Sequence, residues 1–134
     1  MVKSILLASD APYKAKVEVR SHEFYMDEPK ELEGQDVGAT PMEYLAGSLA
    51  ACTSITLRMY LDRKKWLFET IEVNVINNRS EDRKTVSFDV EVRVNANFDD
   101  KQWARVMHIA KACPVHKLLS KGTDISVVLI KIVE

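Results

Sequence analysis

The spacing of apolar residues changes several times along this chain, and each change marks an element. Residues 3–8 and 14–19 read as strands, the second alternating Lys14, Lys16 and Glu18 against Ala15, Val17 and Val19. Asp10-Ala11-Pro12 supplies the turn between them, and a third short strand over 22–26 stops at Asp27-Glu28-Pro29. These three strands predict an antiparallel meander. Residues 30–39 show no period and hold Gly34 and Gly38 among charges, which predicts a loop and a candidate lid.

The period then becomes helical. Thr40 fits an N-cap, Pro41 the first helical position, and Glu43 completes a Thr-x-x-Glu capping box. Leu45, Leu49, Cys52, Thr56 and Met59 recur at three- and four-residue spacing, with Ala46, Ala50 and Ala51 beside them. This predicts a long central helix to about Lys64-Lys65, buried on most of its circumference, with Cys52 near its middle. The apolar run is shorter than the ~20 residues a bilayer requires and has Glu43 and Arg58 at its ends, so it reads as a core helix.

Alternation returns over 69–77 and 86–94, and the polar stretch 77–84 between them predicts a long hairpin. Asp99 is an N-cap signal for a further helix carrying Trp103, Val106, Met107 and Ala110 on one face. Pro114 forbids the bond that would continue that helix, so a short new one is expected from Pro114 to Gly122 with Cys113 as its N-cap. Residues 125–133 form an apolar run expected to close the chain as a strand. Strands gathered into hairpins predict an α+β fold, two antiparallel sheet units around a central helix, in one domain over 1–134.

The totals narrow the partners. Charges nearly cancel to a net −1, so no global field draws the chain to nucleic acid or an anionic membrane. The first residues lack the long apolar region of a secretion signal, which predicts a cytoplasmic protein. In that reducing compartment the two cysteines are not a standing staple, and they fall short of a four-thiolate zinc site. Two inert thiols or a redox pair remain.

A thiol at a helix N-terminus meets free N–H groups and the positive end of the dipole, which makes Cys113 a candidate reactive cysteine. Cys52 reads either as a small buried hydrophobe or as a nucleophile that needs help to ionise. Cys113-x-x-His116 has metal-like spacing but offers only two ligands. His22 and His108 read as surface or satisfied histidines, and Trp66, Phe68 and Trp103 as core or interface anchors. No Gly-rich phosphate loop is present, and no metal, flavin or nucleotide is implied.

Thr40-Pro-x-Glu-x-Leu-x-x-x-Leu-Ala-Ala-Cys52, followed by Cys113-Pro-Val-His-Lys117, resembles the OsmC/Ohr family, which includes organic hydroperoxide resistance proteins. The order of elements is similar to that family's over nearly the whole chain. The resemblance implies an OsmC-like fold, an intertwined homodimer, and a thiol peroxidase acting on organic or small hydroperoxides. In it Cys52 matches the attacking position and Cys113 the resolving one, with a sulfenic acid closing to a disulfide that a dithiol reductant reopens. It also implies an activating arginine, for which Arg20 is the nearest equivalent.

The match has departures. The hydroperoxide-resistance branch places its glutamate directly after the proline, where this chain has Met42, and Glu43 falls one position later. Nine residues put Glu43 about 13.5 Å along the helix from Cys52 and ~180° around it. Glu43 therefore either caps the helix or acts across a dimer interface. Arg58 lies on a different face of the helix from Cys52. His116-Lys117 after Cys-Pro-Val resembles the OsmC-like branch more than the dedicated organic hydroperoxidases, which bears on the substrate. Met42 gives weight to a rival function, a non-catalytic dimer binding a small apolar ligand, and a general thiol-disulfide protein is a third reading.

Overall fold

Alternation builds the first sheet. A computed structural model describes residues 1–132, with β1 (Val2–Ile5), β2 (Ala15–Val19) and β3 (His22–Met26) antiparallel in that order. Val17 pairs with Ser4 on one side and Phe24 on the other and is buried, while Lys16 reaches Glu18 and Glu23 at 3.1 and 3.3 Å. β1 ends sooner than the expected strand over 3–8. The turn starts early: the Asp10 N–H donates to the Leu7 carbonyl, and the Asp10 carboxylate accepts from the Ala11 N–H.

The loop after β3 is organised by a buried carboxylate. Asp27, 2% exposed, accepts from the backbone N–H groups of Glu28, Gln35 and Val37 at 2.7, 3.2 and 3.3 Å. The loop folds so closely on its neighbours that a Cβ on Gly34 would stand 1.9 Å from the Glu28 carbonyl oxygen. One on Gly38 would stand 2.1 Å from that of Tyr25. The Asp27 side chain was legible only as a strand stop, and its carboxylate does more: it ties down a loop whose period gave no sign of order.

α1 (Pro41–Lys64) begins with the capping box intact, the Glu43 N–H on the Thr40 hydroxyl and the Thr40 N–H on the Glu43 carboxylate, both at 3.2 Å. It stops where Lys65 turns left-handed (φ 59°) and the Trp66 N–H returns to the Leu61 carbonyl at 3.0 Å. Burial along α1 follows Leu49, Thr53, Leu57, Tyr60 and Leu61, while Ala51, Ile55 and Met59 are exposed. The buried stripe is thus rotated from the one anticipated, because Met59 faces out and Thr53 faces in.

β4 (Thr70–Arg79) and β5 (Val86–Asn95) form the hairpin, followed by α2 (Asp100–Ala110), capped by Asp99 and Gln102, and α3 (Pro114–Lys121). The chain divides into two compact units, residues 1–50 with 74–91, and 51–73 with the chain from 92 onward. In the first, the Tyr44 ring lies 5.2 Å from that of Phe24 and its hydroxyl donates to the Tyr25 carbonyl. In the second, Leu57, Tyr60, Leu61 and Val106 form the core, and the rings of Tyr60, Trp66, Phe98 and Trp103 follow one another at centroid spacings of 5.6, 5.8 and 5.0 Å.

The expected last strand differs from the structure. Residues 123–132 belong to no regular element, and Ile125, Val127, Val128, Leu129, Ile130 and Ile132 are all exposed. Val133, at the end of the expected strand, lies outside the described residues. A strand requires a paired edge for its backbone groups, and sequence periodicity does not say where that edge comes from.

Candidate active site

The second unit places both cysteines together. α2 ends at Ala110, and Pro114 prevents its helix from running on, so Cys113 takes extended angles (φ −60°, ψ 133°) and becomes the N-cap of α3. Its sulfur accepts a hydrogen bond from the His116 N–H at 3.4 Å, and its carbonyl accepts from the Lys117 N–H at 3.1 Å. Cys113 is fully buried; Cys52, in mid-helix on α1, is half-buried.

Both are free thiols, and each acts on the acidity of the other. The Val115 N–H reaches both sulfurs, the Thr56 hydroxyl reaches Cys52, and the Thr53 hydroxyl reaches Cys113. Burial pushes the Cys52 thiol up, and donation of its proton to Cys113 pushes it further, against weaker opposition from Val115 and Thr56. For Cys113 burial also pushes up, but the combined donors outweigh it: the Cys52 thiol, the His116 N–H, the Thr53 hydroxyl and the Val115 N–H hold it below the ordinary thiol range.

Of the two thiols, Cys113 is therefore the more acidic and Cys52 the less. The donors that lower Cys113 include the helix-end N–H groups expected from the sequence, whereas Cys52, for which a cation was expected, is raised.

Arg20 and Glu43 belong to the first unit. Arg20 is exposed in the turn after β2 with left-handed angles (φ 51°), and the Glu43 carboxylate is engaged in the cap of α1. Arg58 pairs with Asp62 at 2.7 Å and lies over the Phe68 ring at 5.0 Å. His22 and His108 are exposed. Among the described residues no group of three or more His, Cys, Asp or Glu side chains is gathered for a metal, and no helix is long and apolar enough to cross a membrane.

Sequence reasoning passed over Thr53. The signal was available in the i, i+4 row Leu49-Thr53-Leu57-Leu61, which places a hydroxyl on the core face next to Cys52. An open cleft of about 630 Å³ in the same unit is lined by Trp66, Phe68, Asn95, Asn97 and Phe98, and neither cysteine is part of its wall.

A family model described as OsmC-like protein matches residues 33–128, which takes in both cysteines, the capping box and the hairpin. The chain belongs to the OsmC-like family. Solved OsmC-like folds align along most of its length. An OsmC-like protein from Mycoplasma pneumoniae is 18% identical, with 90% of this chain and 86% of that chain covered at a TM-score of 0.74. An organic hydroperoxide resistance protein from Elizabethkingia anophelis is 19% identical, covering 87% and 84% at 0.62. The organic hydroperoxide resistance protein OhrB of Bacillus subtilis is 18% identical, covering 87% of each chain at 0.56. At such identities the likeness concerns the fold. No functionally curated protein matches the chain.

Proposed function

We propose that this OsmC-like protein is a thiol-dependent hydroperoxide reductase working through Cys52 and Cys113. What supports the reading is that two free thiols, one buried at the head of α3 and one half-buried on α1, act on each other's acidity in opposite directions, with Cys113 lowered and Cys52 raised. The names of the Elizabethkingia and Bacillus proteins support the choice of substrate class.

In this reading the Cys113 thiolate takes the proton of Cys52 as the Cys52 sulfur attacks a peroxide oxygen. The O–O bond breaks, Cys52 becomes a sulfenic acid, and the leaving alkoxide takes the proton now on Cys113 to become the alcohol, which restores the Cys113 thiolate. That thiolate then attacks the sulfenic sulfur, the disulfide closes, and the departing hydroxide takes a proton from solvent to leave as water. Two thiols and one hydroperoxide thus yield one disulfide, one alcohol and one water. An external dithiol reopens the bond by exchange.

The exposed apolar stripe Ala51, Ile55 and Met59 and the exposed run 125–132 support a homodimer, since together they form more apolar surface than a lone chain ordinarily leaves in water. Glu43 is read as a cap, and Arg20, exposed after β2, as a surface residue.

The test is a thiol count after one equivalent of cumene hydroperoxide. The wild type is expected to lose both thiols to an intramolecular disulfide, Cys113→Ser to stop at a Cys52 sulfenic acid, and Cys52→Ser to leave peroxide unconsumed. Retention of both thiols in the wild type would overturn the reading in favour of a ligand-binding dimer. Equal reaction with a small disulfide would favour a general thiol-disulfide protein.

A further inference from the structure

The second unit carries a cleft that the thiol chemistry does not use. Its volume of about 630 Å³ lies within the ~300–1,000 Å³ that small-ligand sites occupy, and neither cysteine lines it. The apolar wall is Trp66, Phe68 and Phe98, half-buried rings packed against the core of Leu57, Tyr60, Leu61 and Val106. Trp66 meets Tyr60 edge-on at 5.6 Å and Phe98 at 5.8 Å, so the rings are braced from within. A flat apolar group can stack there without the wall first having to form around it.

The polar wall is fixed as well. The Glu69 N–H donates to the Asn95 carbonyl and the Asn95 side-chain amide donates to the Glu69 carboxylate, both at 2.8 Å. The Gln102 amide oxygen accepts from the Asp99 N–H at 2.9 Å in the cap of α2, which leaves its NH₂ group as a donor. Of the two charged side chains in this wall, Glu69 is thus already engaged, whereas Lys65 enters no ion pair among the described residues.

Lys65 is also unusual for its place. It holds the left-handed position after α1 (φ 59°), where glycine would carry no steric cost, and Arg63 and Lys64 already supply the positive charge that the helix end favours. In the unit as a whole Lys and Arg outnumber Asp and Glu. The charge left unanswered at the cleft is positive.

We propose that this cleft is a binding site for a small aromatic carboxylate, its ring stacked against Trp66 and Phe98 and its carboxylate held by the Lys65 ammonium and the Gln102 amide. The ring supplies the apolar area that leaves water, and the head group supplies the selectivity. An amine would meet Lys65 as a like charge, and an uncharged amide would forgo the ion pair. In an open cleft that ion pair is partly screened, so a preference of several-fold is expected rather than an absolute one. The inference is independent of the peroxidase reading.

The experiment titrates the reduced protein with phenylacetate, phenylacetamide and phenethylamine in turn and follows the two tryptophan indole N–H signals by NMR, with Trp103→Phe to assign them. Phenylacetate is expected to shift the Trp66 signal saturably, to show nuclear Overhauser contacts from its ring to Trp66 and Phe98, and to bind several-fold more tightly than either analogue. Lys65→Asn, chosen because asparagine tolerates left-handed angles, is expected to bring phenylacetate down to the affinity of the amide. Glu69→Gln keeps an acceptor for Asn95 but removes the like charge, and is expected to tighten phenylacetate. Neither variant is expected to move phenylacetamide, and Cys52→Ser is expected to bind phenylacetate as the wild type does.

No saturable Trp66 shift at millimolar phenylacetate, equal affinity for the three compounds, or a Lys65→Asn affinity equal to that of the wild type would overturn the proposal. So would loss of binding in Cys52→Ser, which would put the ligand at the thiols. A wild type that bound phenylacetate in the cleft but left peroxide untouched would remove the peroxidase reading alone.

Discussion

Two neighbouring thiols of like chemistry become unlike because different groups surround them. Cys52 sits on a helix side with burial against it, whereas Cys113 caps a helix and collects donors. The sign of the pH dependence follows. A lowered thiol pKa puts the Cys113 thiolate in place at pH values below the ordinary thiol range, so single-turnover peroxide consumption should rise with pH up to that lowered midpoint and then level off. In Cys113→Ser the same rise should shift to higher pH, because Cys52 keeps the upward push of burial; stopped-flow rates across pH decide it. The stability contributed by the Cys113 thiolate is present above the ordinary thiol range and is lost as pH falls through the lowered value. The raised Cys52 has the opposite sign, contributing below the ordinary range and losing it as pH rises through its own midpoint. Glu43→Gln should hold the single-turnover rate within about two-fold, since glutamine also completes a capping box. A large loss would instead place the carboxylate in the chemistry.

At the level of elements, caps and breakers set where each piece starts. Thr40→Ala removes one bond of the box at the head of α1 and should cost about 1 kcal/mol in urea denaturation. Gly38→Ala is expected to be worse, about 1–3 kcal/mol, because its new Cβ would meet the Tyr25 carbonyl oxygen, which belongs to the backbone and cannot swing aside. The elements most legible in the sequence were those with local signals: α1 from its box, α2 from Asp99, and α3 from Pro114 with Gly122 beyond it. The bounds of β4 and β5 extend past the alternating residues because pairing continues while partners remain, as with the Glu69 N–H on the Asn95 carbonyl at 2.8 Å.

For the molecule as a whole, the unsatisfied feature is apolar surface. The row Ala51, Ile55 and Met59 and the run 125–132 both face outward in a single chain. A homodimer should therefore elute with a light-scattering mass near twice the chain's 15.2 kDa, and Ile55→Asp or Ile130→Asp should reduce it toward one chain. A wild type that stays monomeric at micromolar concentration would leave these side chains without that explanation. Membership of the OsmC-like family was carried by two motifs set far apart in the chain, and the matched stretch spans both.

The sequence by itself determined what depends on near neighbours: the helix starts, the turns, the alternation of strands and the extended backbone at Cys113. Tertiary structure decided which face of α1 is buried, that Asp27 orders a loop, and that two cysteines far apart in the chain fall in one compact unit. The physical reason is range. Capping and proline act through bonds within a turn of the chain, whereas burial and the acidity of a thiol depend on groups that only folding brings together.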